Sequence, residues 1–384
     1  MKLVYMSMSA IPSRLANSIH VMKMCEAFAQ NGHDVTLIAQ EGNEVQSNGV
    51  DDFQFYGVKP SFTIIKLKAH PGKSGRNLYG LEALRTVWSI HPDLIYGRFL
   101  LGCLLAARFT RAKVLFESHS PINTNDRSEI RLFKWLLKSR RFLQMTVISA
   151  ALRDYYLDTY PIGKDKMVVA HDGATLPDNV GPTKNLTHLG TNSAFHVGYI
   201  GHLYRGKGME LIAQLVILCP WASFHIIGGQ TKDIAYWSDQ LAHVSNIKFY
   251  GFVPPADVFR YSAACDVLLA PYQNEVYGHG KVKKHRSISQ WMSPLKIFEY
   301  MALGKPMICS DLPVLREIVN PGQNGLLCPP DQAEVWATAL LELKNSPELR
   351  LKLGSQAKAD FEANYSWQKR AHNVLANLPA EVHR

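Results

Sequence analysis

The sequence lacks the patterns of membrane-spanning, disulfide-bonded and nucleic-acid-binding proteins. It contains no apolar run long enough to span a bilayer. Its start, MKLVYMSMSAIP, has one Lys followed by a short β-like run, which is not the pattern of a signal peptide. The six Cys are widely spaced and form no CxxC pair, which favours buried free thiols over disulfides or a zinc site. No RNP-like, zinc-finger or basic-zipper pattern is present, so nucleic acid is not an expected partner, and a cytoplasmic location is predicted.

The sequence also lacks a GxGxxG turn at the start of either half, which argues against a dinucleotide-dependent dehydrogenase. Charged residues make up only 19% of the chain and hydrophobic ones 47%, as in folded globular proteins. The charges are unbalanced, because 42 Lys and Arg stand against 32 Asp and Glu. This excess favours an anionic membrane face or phosphorylated small substrates as partners. The 384 residues are enough for about two domains, each with its own core.

Short apolar strands alternate with helix-period segments in both halves, which is typical of parallel α/β sheets. The predicted strands of the first half are 2–8, 33–39, 93–96, 113–117, 142–148 and 166–170, with weaker candidates at 53–58 and 63–67. Those of the second half are 195–200, 223–228, 247–251, 266–271, 307–310 and 325–328. The predicted fold class is therefore α/β, with two successive parallel-sheet units of similar size. Ligands of such sheets bind at the carboxyl ends of strands, so the expected site is the cleft between the domains.

One stretch of the second half, residues 293–313, predicts a short helix with an open first turn, followed by a buried strand. Ser293 is the predicted N-cap and Pro294 the first helical residue. The N–H groups of Leu295 and Lys296 would then point out of the helix N-terminus, where the positive potential suits a phosphate.

Glu299 follows one turn into the same helix. A carboxylate at this position can accept both hydrogens of a vicinal diol such as a ribose. The helix alone leaves a second interpretation open, in which Lys296 and Glu299 form an ordinary surface pair worth about 0.2–0.5 kcal/mol.

Several motifs occur in a fixed order and spacing. The second half contains YIGHLYRGKGME, FHIIGG, IKFYGFVPPADVFRYSAACDVLLAPY and SPLKIFEYMALGKPMICSDLPVLREIV, and the first contains SIHVMKMCEAFAQNGHDVTLIA and LFESHSP. Together they resemble the retaining GT-B glycosyltransferases of family 4, which are typified by bacterial sugar-nucleotide transferases. The resemblance implies a GT-B fold of two Rossmann-like doubly wound parallel-sheet domains, with an N-terminal acceptor-side domain over 1–175 and a linker over 176–193. It further implies a C-terminal nucleotide-sugar-binding domain over 194–363 and a last helix within 364–384 that crosses back to the N-terminal domain.

The resemblance implies donor-binding roles in the second half. Lys207 matches the lysine of a G-x-L-x-x-x-K-G pattern that contacts the donor phosphates, and Glu299 matches the second glutamate of E-x7-E, which holds the ribose. The first glutamate of that motif is replaced by Trp291. The arginine that accompanies the lysine falls at His202, so Arg205 is a candidate to substitute for it.

Other donor contacts implied by the resemblance use the backbone. Phe252 and Val253 lie where the family contacts the nucleobase. The turn that would face the phosphates consists of Ser293, Pro294, Leu295 and Lys296. A known branch of the family also has SPLK-x-x-E-Y-M at this point.

In the first half, His119 of LFESHSP matches the family histidine that is placed near the donor sugar and the reacting centre. The alternative is a loop histidine with a structural partner. Glu117 is equally well placed, or only holds the ring of His119. The loop before the first helix, SAIPSRLANSIH, lacks the glycines that approach a phosphate in the family. Its predicted replacements on the acceptor or sugar side are Arg14, Asn17, Ser18 and His20.

Two basic stretches complete the set. The helix predicted over 129–141, EIRLFKWLLKSRR, either docks on an anionic membrane or covers a sheet with solvated charges. Residues 281–286, KVKKHR, are either a lid that gathers phosphates or a solvated turn.

The resemblance therefore implies transfer of a sugar from a nucleoside diphosphate donor to an acceptor hydroxyl with retention of configuration, in surface polysaccharide or glycolipid biosynthesis. The resemblance implies no cofactor and no required metal, a glycan or lipid-linked acceptor, and a cytoplasmic enzyme that can contact the inner face of the cell membrane. Two alternatives stay open. One is a sugar-nucleotide epimerase of the same fold. The other is a non-catalytic protein that binds sugar nucleotide, which the replacement of a glutamate by Trp291 favours.

Overall fold

The structure is a computed structural model that describes residues 1–42, 51–122, 125–175, 186, 195–276, 287–376 and 378. The chain forms two compact units: unit 1 comprises residues 1–172 and 367–384, and unit 2 comprises residues 173–366. The predicted linker lies outside the described residues except for residue 186, and the basic stretch 281–286 lies wholly outside them. Each unit contains one parallel sheet, so the predicted fold class is confirmed.

The sheet of unit 1 has seven strands in the order β3-β2-β1-β4-β5-β6-β7, all parallel. They are β1 (Lys2–Ile11), β2 (Asp34–Glu41), β3 (Thr63–Leu67), β4 (Leu94–Gly97), β5 (Lys113–Ser118), β6 (Phe142–Val147) and β7 (Met167–Val169). The central strands are nearly continuous apolar runs because parallel sheets are covered on both faces. The strand order reverses between β1 and β4, where the carboxyl ends of strands open a crevice for ligands.

In the ranges that the structure describes, six α-helices lie between these strands. They are α1 (Ala16–Gln30), α2 (Asp52–Tyr56), α3 (Gly72–Ile90), α4 (Leu100–Phe109), α5 (Arg127–Leu137) and α6 (Ala150–Thr159). The weaker strand candidate 53–58 is wrong, because this segment forms α2. The Asp51 carboxylate accepts a hydrogen bond from the Gln54 N–H at 2.7 Å, and Gly57 ends the helix with φ of 58°. These end signals outweigh the strand preference of the aromatic residues between them.

The sheet of unit 2 has six parallel strands in the order β10-β9-β8-β11-β12-β13. They are β8 (His196–Ile200), β9 (Ser223–Ile227), β10 (Ile247–Gly251), β11 (Val267–Ala270), β12 (Met307–Ser310) and β13 (Leu326–Cys328). The order reverses between β8 and β11. The helices are α7 (Met209–Leu218), α8 (Thr231–Gln240), α9 (Pro255–Ala263), α10 (Leu295–Ala302), α11 (Ala333–Asn345) and α12 (Pro347–Asn364). A 3-10 turn, Leu315–Glu317, follows β12.

Helix α10 begins one residue later than predicted. Pro294 occupies the cap position with φ of −75° and ψ of 120°, and Ser293 is not the N-cap. The extended ψ of Pro294 excludes it from the helix, so Leu295 is the first helical residue. The apolar face of α10 packs in the core, where Ile297 and Phe298 are fully buried.

The chain returns to unit 1 with α13 (Trp367–Leu375), which packs on α1. All six Cys are buried free thiols, as predicted. Within the described ranges, no helix combines the length and the apolar character needed to cross a membrane.

Candidate functional site

The predicted phosphate-binding loop of unit 2 follows β8, at the point where the strand order of the sheet reverses. Two of its glycines, Gly206 and Gly208, have φ of 85° and 106°. A Cβ at either position would lie 2.1–2.2 Å from a carbonyl oxygen of segment 271–275, which follows β11. Only glycine permits this close approach, and it holds Lys207 against Tyr272.

Two lysine side chains meet at one aromatic ring in this unit. Lys207 Nζ lies 5.1 Å and Lys296 Nζ 5.2 Å from the centroid of the Tyr272 ring. Lys296 Nζ also lies 3.8 Å from the centroid of the Tyr199 ring. The Lys296 side chain is buried, and its Nζ has no hydrogen-bond partner among the residues that the structure describes. The two ammonium groups thus concentrate positive charge at the strand edge where an anion can bind.

Burial changes the protonation of both lysines. It lowers the pKa of Lys207 to about 8. Burial, together with the charge of Lys207, lowers the pKa of Lys296 well below its usual range, although Glu299 opposes the shift. An arriving anion would reverse these effects, because it favours the charged form of each lysine.

Lys296 therefore differs from its predicted environment. The sequence assigned only its backbone N–H to the site and left open a surface pair with Glu299, but the Lys296 side chain is 8% exposed. It lies in the first turn of α10, and Glu299 is half-buried one turn later. The surface-pair interpretation does not apply to a buried lysine.

The other donor-side residues are more accessible. The His202 ring stacks on Tyr204, with centroids 5.2 Å apart, and Arg205 is exposed. Phe252 and Val253 are half-buried directly after β10. Their roles in donor binding stay predictions.

In unit 1, a group of polar side chains surrounds Glu117, near the carboxyl end of β5. Glu117 Oε1 accepts a hydrogen bond from Arg370 Nη2 at 2.6 Å and lies 3.0 Å from His119 Nε2. Its Oε2 accepts one from the Tyr5 hydroxyl at 2.9 Å and lies 3.3 Å from His20 Nε2. Burial alone would raise the pKa of the Glu117 carboxyl, but Arg370, His20 and His119 hold it well below its usual range. Glu117 is therefore an ionised anchor for its neighbours.

Sequence reasoning missed Arg370, which lies on α13. Its guanidinium is buried and also donates to the carbonyl oxygens of His171 at 2.9 Å and Ala170 at 3.1 Å. The available signal was its spacing, because Arg370 shares a helix face with Trp367 and Val374, which are buried. An arginine on an apolar helix face needs a buried acidic partner.

His119 is held in one protonation state. Burial and the nearby Arg98 lower the pKa of His119 to about 4, against the opposite effect of Glu117. The ring is therefore neutral at neutral pH, and the short contact to the Glu117 carboxylate assigns the proton to Nε2. Nδ1 then carries a lone pair that can accept a hydrogen bond from a sugar hydroxyl.

The four residues predicted in the loop before and at the start of α1 separate into two pairs. Arg14 and Asn17 are exposed. Ser18 is fully buried, and its hydroxyl lies 2.8 Å from the carbonyl oxygens of Ser13 and Leu15, so its position does not support the predicted substrate contact.

His20 is also buried, with Nδ1 2.9 Å from Asp172 Oδ1. Its ring meets the His119 ring edge to face at 4.6 Å. His20 therefore supports the group around Glu117 from within the unit.

His20, Glu117 and His119 are close enough to ligate a metal ion, with one donor atom of each within 4.8 Å of the others. The Glu117 carboxylate already accepts a hydrogen bond from the Arg370 guanidinium at 2.6 Å. A metal ion at this carboxylate would face strong repulsion from that buried charge. The geometry fits a hydrogen-bonded network better than a metal centre.

Two family models match the chain, one in each half. Glycosyltransferase Family 4 matches residues 18–176, and Glycosyl transferases group 1 matches residues 194–346. A curated relative, D-inositol 3-phosphate glycosyltransferase from Corynebacterium jeikeium, is 24% identical over 204 residues, which are 49% of this chain and 45% of the relative. The chain thus spans about half the length of this relative.

Two solved structures are similar over nearly the whole chain. Sucrose-phosphate synthase from Thermosynechococcus elongatus has 17% identity and a TM-score of 0.73, with 97% of each chain covered. Anabaena Alr3699/HepE in complex with UDP-glucose has 16% identity and a TM-score of 0.71, with 98% of this chain and 100% of that chain covered. At these identities the likeness shows a shared fold.

Proposed function

This chain belongs to the family 4 type of glycosyltransferases with the GT-B fold, and on that basis we propose that it transfers a sugar from a nucleoside diphosphate donor to an acceptor hydroxyl with retention of configuration. The observation that carries the proposal is the convergence of Lys207 and Lys296 on Tyr272 in unit 2. Two ammonium groups, that of buried Lys296 and that of half-buried Lys207, suit a diphosphate better than a neutral ligand. The structural neighbour that holds UDP-glucose supports the same class of donor.

The proposed role of the two lysines is to stabilise the leaving group. As the bond between the sugar C1 and the phosphate oxygen breaks, the diphosphate gains negative charge, which a fixed cation nearby stabilises. The new bond from C1 to the acceptor oxygen forms on the same face. Because the acceptor itself attacks this face, retention needs no protein carboxylate as a nucleophile. The acceptor proton passes to the departing phosphate oxygen, so no protein base is needed.

Two further residues have proposed contacts with the donor. Glu299 is half-buried one turn after Lys296, and its carboxylate would accept hydrogen bonds from the ribose hydroxyls. His119 would accept a hydrogen bond from a hydroxyl of the transferred sugar through Nδ1. Glu117 would act as a positioning residue, because it contacts His119 Nε2 and so sets the tautomer.

We also propose that the acceptor belongs to surface polysaccharide or glycolipid biosynthesis and is presented at an anionic membrane face. Helix α5 supports this, because Arg131, Lys134 and Trp135 are exposed while Phe133 and Leu136 are buried. Sedimentation with phosphatidylglycerol vesicles tests it: Arg131→Glu with Lys134→Glu should abolish binding, and binding equal to that of the wild type would contradict it. A cytoplasmic location and independence of metal ions stay predictions.

A thermal-shift panel of nucleoside diphosphates and their sugars tests the main proposal. A ligand at one hundred times its dissociation constant adds about 2.7 kcal/mol of stability. We expect nucleotides of one base to stabilise the wild type and Lys207→Ala to lose that shift. The proposal fails if no nucleoside diphosphate binds, or if Lys207→Ala binds as well as the wild type. Complete turnover of the donor without an acceptor would indicate the epimerase, and binding without any transfer the non-catalytic protein.

A further inference from the structure

Unit 1 contains a cavity of about 270 Å³ beside His119, and two arginine side chains line it. Arg98 directly follows β4, and Arg76 lies on α3. Strands β4 and β5 are parallel neighbours, so Arg98 and His119 leave the sheet at the same edge, next to the point where its strand order reverses. No motif of the sequence pointed to either arginine.

Each of the two arginines has a buried N–H donor that lacks an acceptor in the described part of the chain. Arg98 Nη1 and Arg76 Nε are inaccessible to solvent and make no hydrogen bond within the described part of the chain. A guanidinium cannot give up its proton, so the donors cannot be neutralised. A buried donor left without an acceptor destabilises the protein, and a hydrogen bond to a ligand oxygen would relieve that penalty.

The acidic groups at the cavity do not cancel both charges. Glu117 also lines it but is paired with Arg370, and His119 is neutral. Glu129 of α5 is half-buried at the cavity and interacts electrostatically with Arg76. This leaves Arg98 as the source of excess positive charge.

We propose that this cavity binds a carboxylate or phosphate group of the acceptor through Arg98 and Arg76, so that the acceptor is an acidic or phosphorylated sugar. The identification of this ligand as the acceptor rests on the proposed function. The binding of an anion here rests on the cavity alone. The planar guanidinium matches the oxygens of both groups. The volume of the cavity is small for a ligand site, which suits one sugar unit. Phe99 and Leu132 also line the cavity and can contact the C–H groups of the sugar.

Three probes test the proposal: methyl glucuronide, glucose 1-phosphate and the neutral methyl glucoside, each titrated by ligand-observed NMR. UDP in excess occupies the site proposed in unit 2, so that glucose 1-phosphate reports on unit 1. We expect at least one charged probe to bind about tenfold or more tightly than methyl glucoside, a difference of about 1.4 kcal/mol. The preferred probe distinguishes a carboxylate from a phosphate.

Substitutions of the lining arginines test whether the preference for a charged probe arises in the cavity. Arg98→Gln should remove it and Arg76→Gln should reduce it, while Arg85→Gln, an exposed position on the same helix as Arg76, should leave it unchanged. Equal binding of all three probes to the wild type overturns the proposal, and so does an undiminished preference in Arg98→Gln. If Arg98→Gln does not fold, Arg76→Gln decides by the same criterion. If the wild type binds no UDP but keeps its preference for a charged probe, the donor site proposed in unit 2 is wrong and the anion site in unit 1 stands.

Discussion

Two buried charged groups, Glu117 in unit 1 and Lys296 in unit 2, have opposite surroundings. In unit 1, the Glu117 carboxylate is 1% exposed and has protein partners at both oxygens, the closest being Arg370. In unit 2, Lys296 is 8% exposed and its Nζ lies against aromatic rings with no hydrogen-bond partner in the described part of the unit. A buried charge with a full set of partners holds the protein together, whereas one without them is stabilised only when a ligand arrives.

The difference separates framework from binding surface within one chain. Glu117 and Arg370 keep His119 in place and need no substrate to be satisfied. Lys296 in unit 2 and Arg98 in unit 1 have buried donors that the protein leaves open. Charged groups of the second kind are the better indicators of function.

The largest expected effect comes from breaking the paired group. Arg370→Met leaves the Glu117 charge buried without its counter-charge, so the free energy of unfolding should fall by about 3–5 kcal/mol. Urea denaturation followed by tryptophan fluorescence measures it. Arg108→Met, at an exposed position of unit 1, is the matched control and should change stability by less than about 0.5 kcal/mol. A loss in Arg370→Met no larger than in the control would contradict the framework role.

Lys296→Met should change the free energy of unfolding in the opposite direction from Arg370→Met, or leave it unchanged. It removes a buried ammonium without a hydrogen-bond partner, so the free energy of unfolding should stay equal or rise by about 1 kcal/mol. The affinity for the nucleoside diphosphate should fall by about tenfold or more, because hydrogen bonds to charged groups contribute about 1.5–3 kcal/mol. Calorimetric titration beside Lys232→Met, an exposed lysine of α8, checks this. Destabilisation with unchanged affinity would show that Lys296 is framework.

The pH dependence of donor binding sharpens the comparison further. The pKa of Lys207 is lowered to about 8, so the free protein loses this charge as pH rises through 8. Affinity for the diphosphate should then fall by at most about tenfold per pH unit, and binding near pH 8 should take up protons. Titrations in buffers of different ionisation enthalpy measure both effects. In Lys207→Ala the pH slope should be smaller, and equal slopes would remove Lys207 from the site.

The same shift has a consequence for stability without ligand. Between pH 8 and the pKa of about 10.4 for a lysine in the unfolded chain, the unfolded chain holds the proton that folded Lys207 has lost. The burial penalty is therefore relieved as pH rises, and the free energy of unfolding should increase by at most about 1.4 kcal/mol per pH unit relative to Lys207→Ala.

The last expected effect is confined to acid pH and concerns His119. Its pKa of about 4 is below the value of about 6.5 for histidine in the unfolded chain. Folding therefore becomes less favourable as pH falls between these values, by at most about 1.4 kcal/mol per unit. The difference in unfolding free energy between wild type and His119→Asn should show this slope. An NMR titration that places the pKa of His119 near 6.5 would contradict the neutral ring.

Much of the fold could be predicted because it depends on local patterns. Apolar runs such as 113–117 and 266–271 are strands in the structure, with ends within a residue or two. The strand prediction for 53–58 was wrong because Asp51 caps the start of a helix and Gly57 caps its end. These caps outweigh the strand preference of the aromatic residues between them. The start of α10 was missed by one residue because the backbone angle of Pro294 is not visible in its identity.

The sites were only partly predictable, for a different reason. Lys207 and His119 follow strands and belong to motifs, so the sequence named them, although their roles stay predictions. Arg370 and Glu117 are 253 residues apart, and nothing local in either segment identifies the other as its partner. Arg98 and Arg76 belong to no motif and meet only because β4, α3 and β5 surround one cavity.

The sequence by itself determined the two successive α/β units, the family and the positions of the loops that follow strands, because each is written in the periodicity and spacing of neighbouring residues. Only the tertiary structure decided which charges are paired and which are open. Pairing depends on distances between segments far apart in the chain and on how much water each group loses, and both exist only after the sheets and helices have packed.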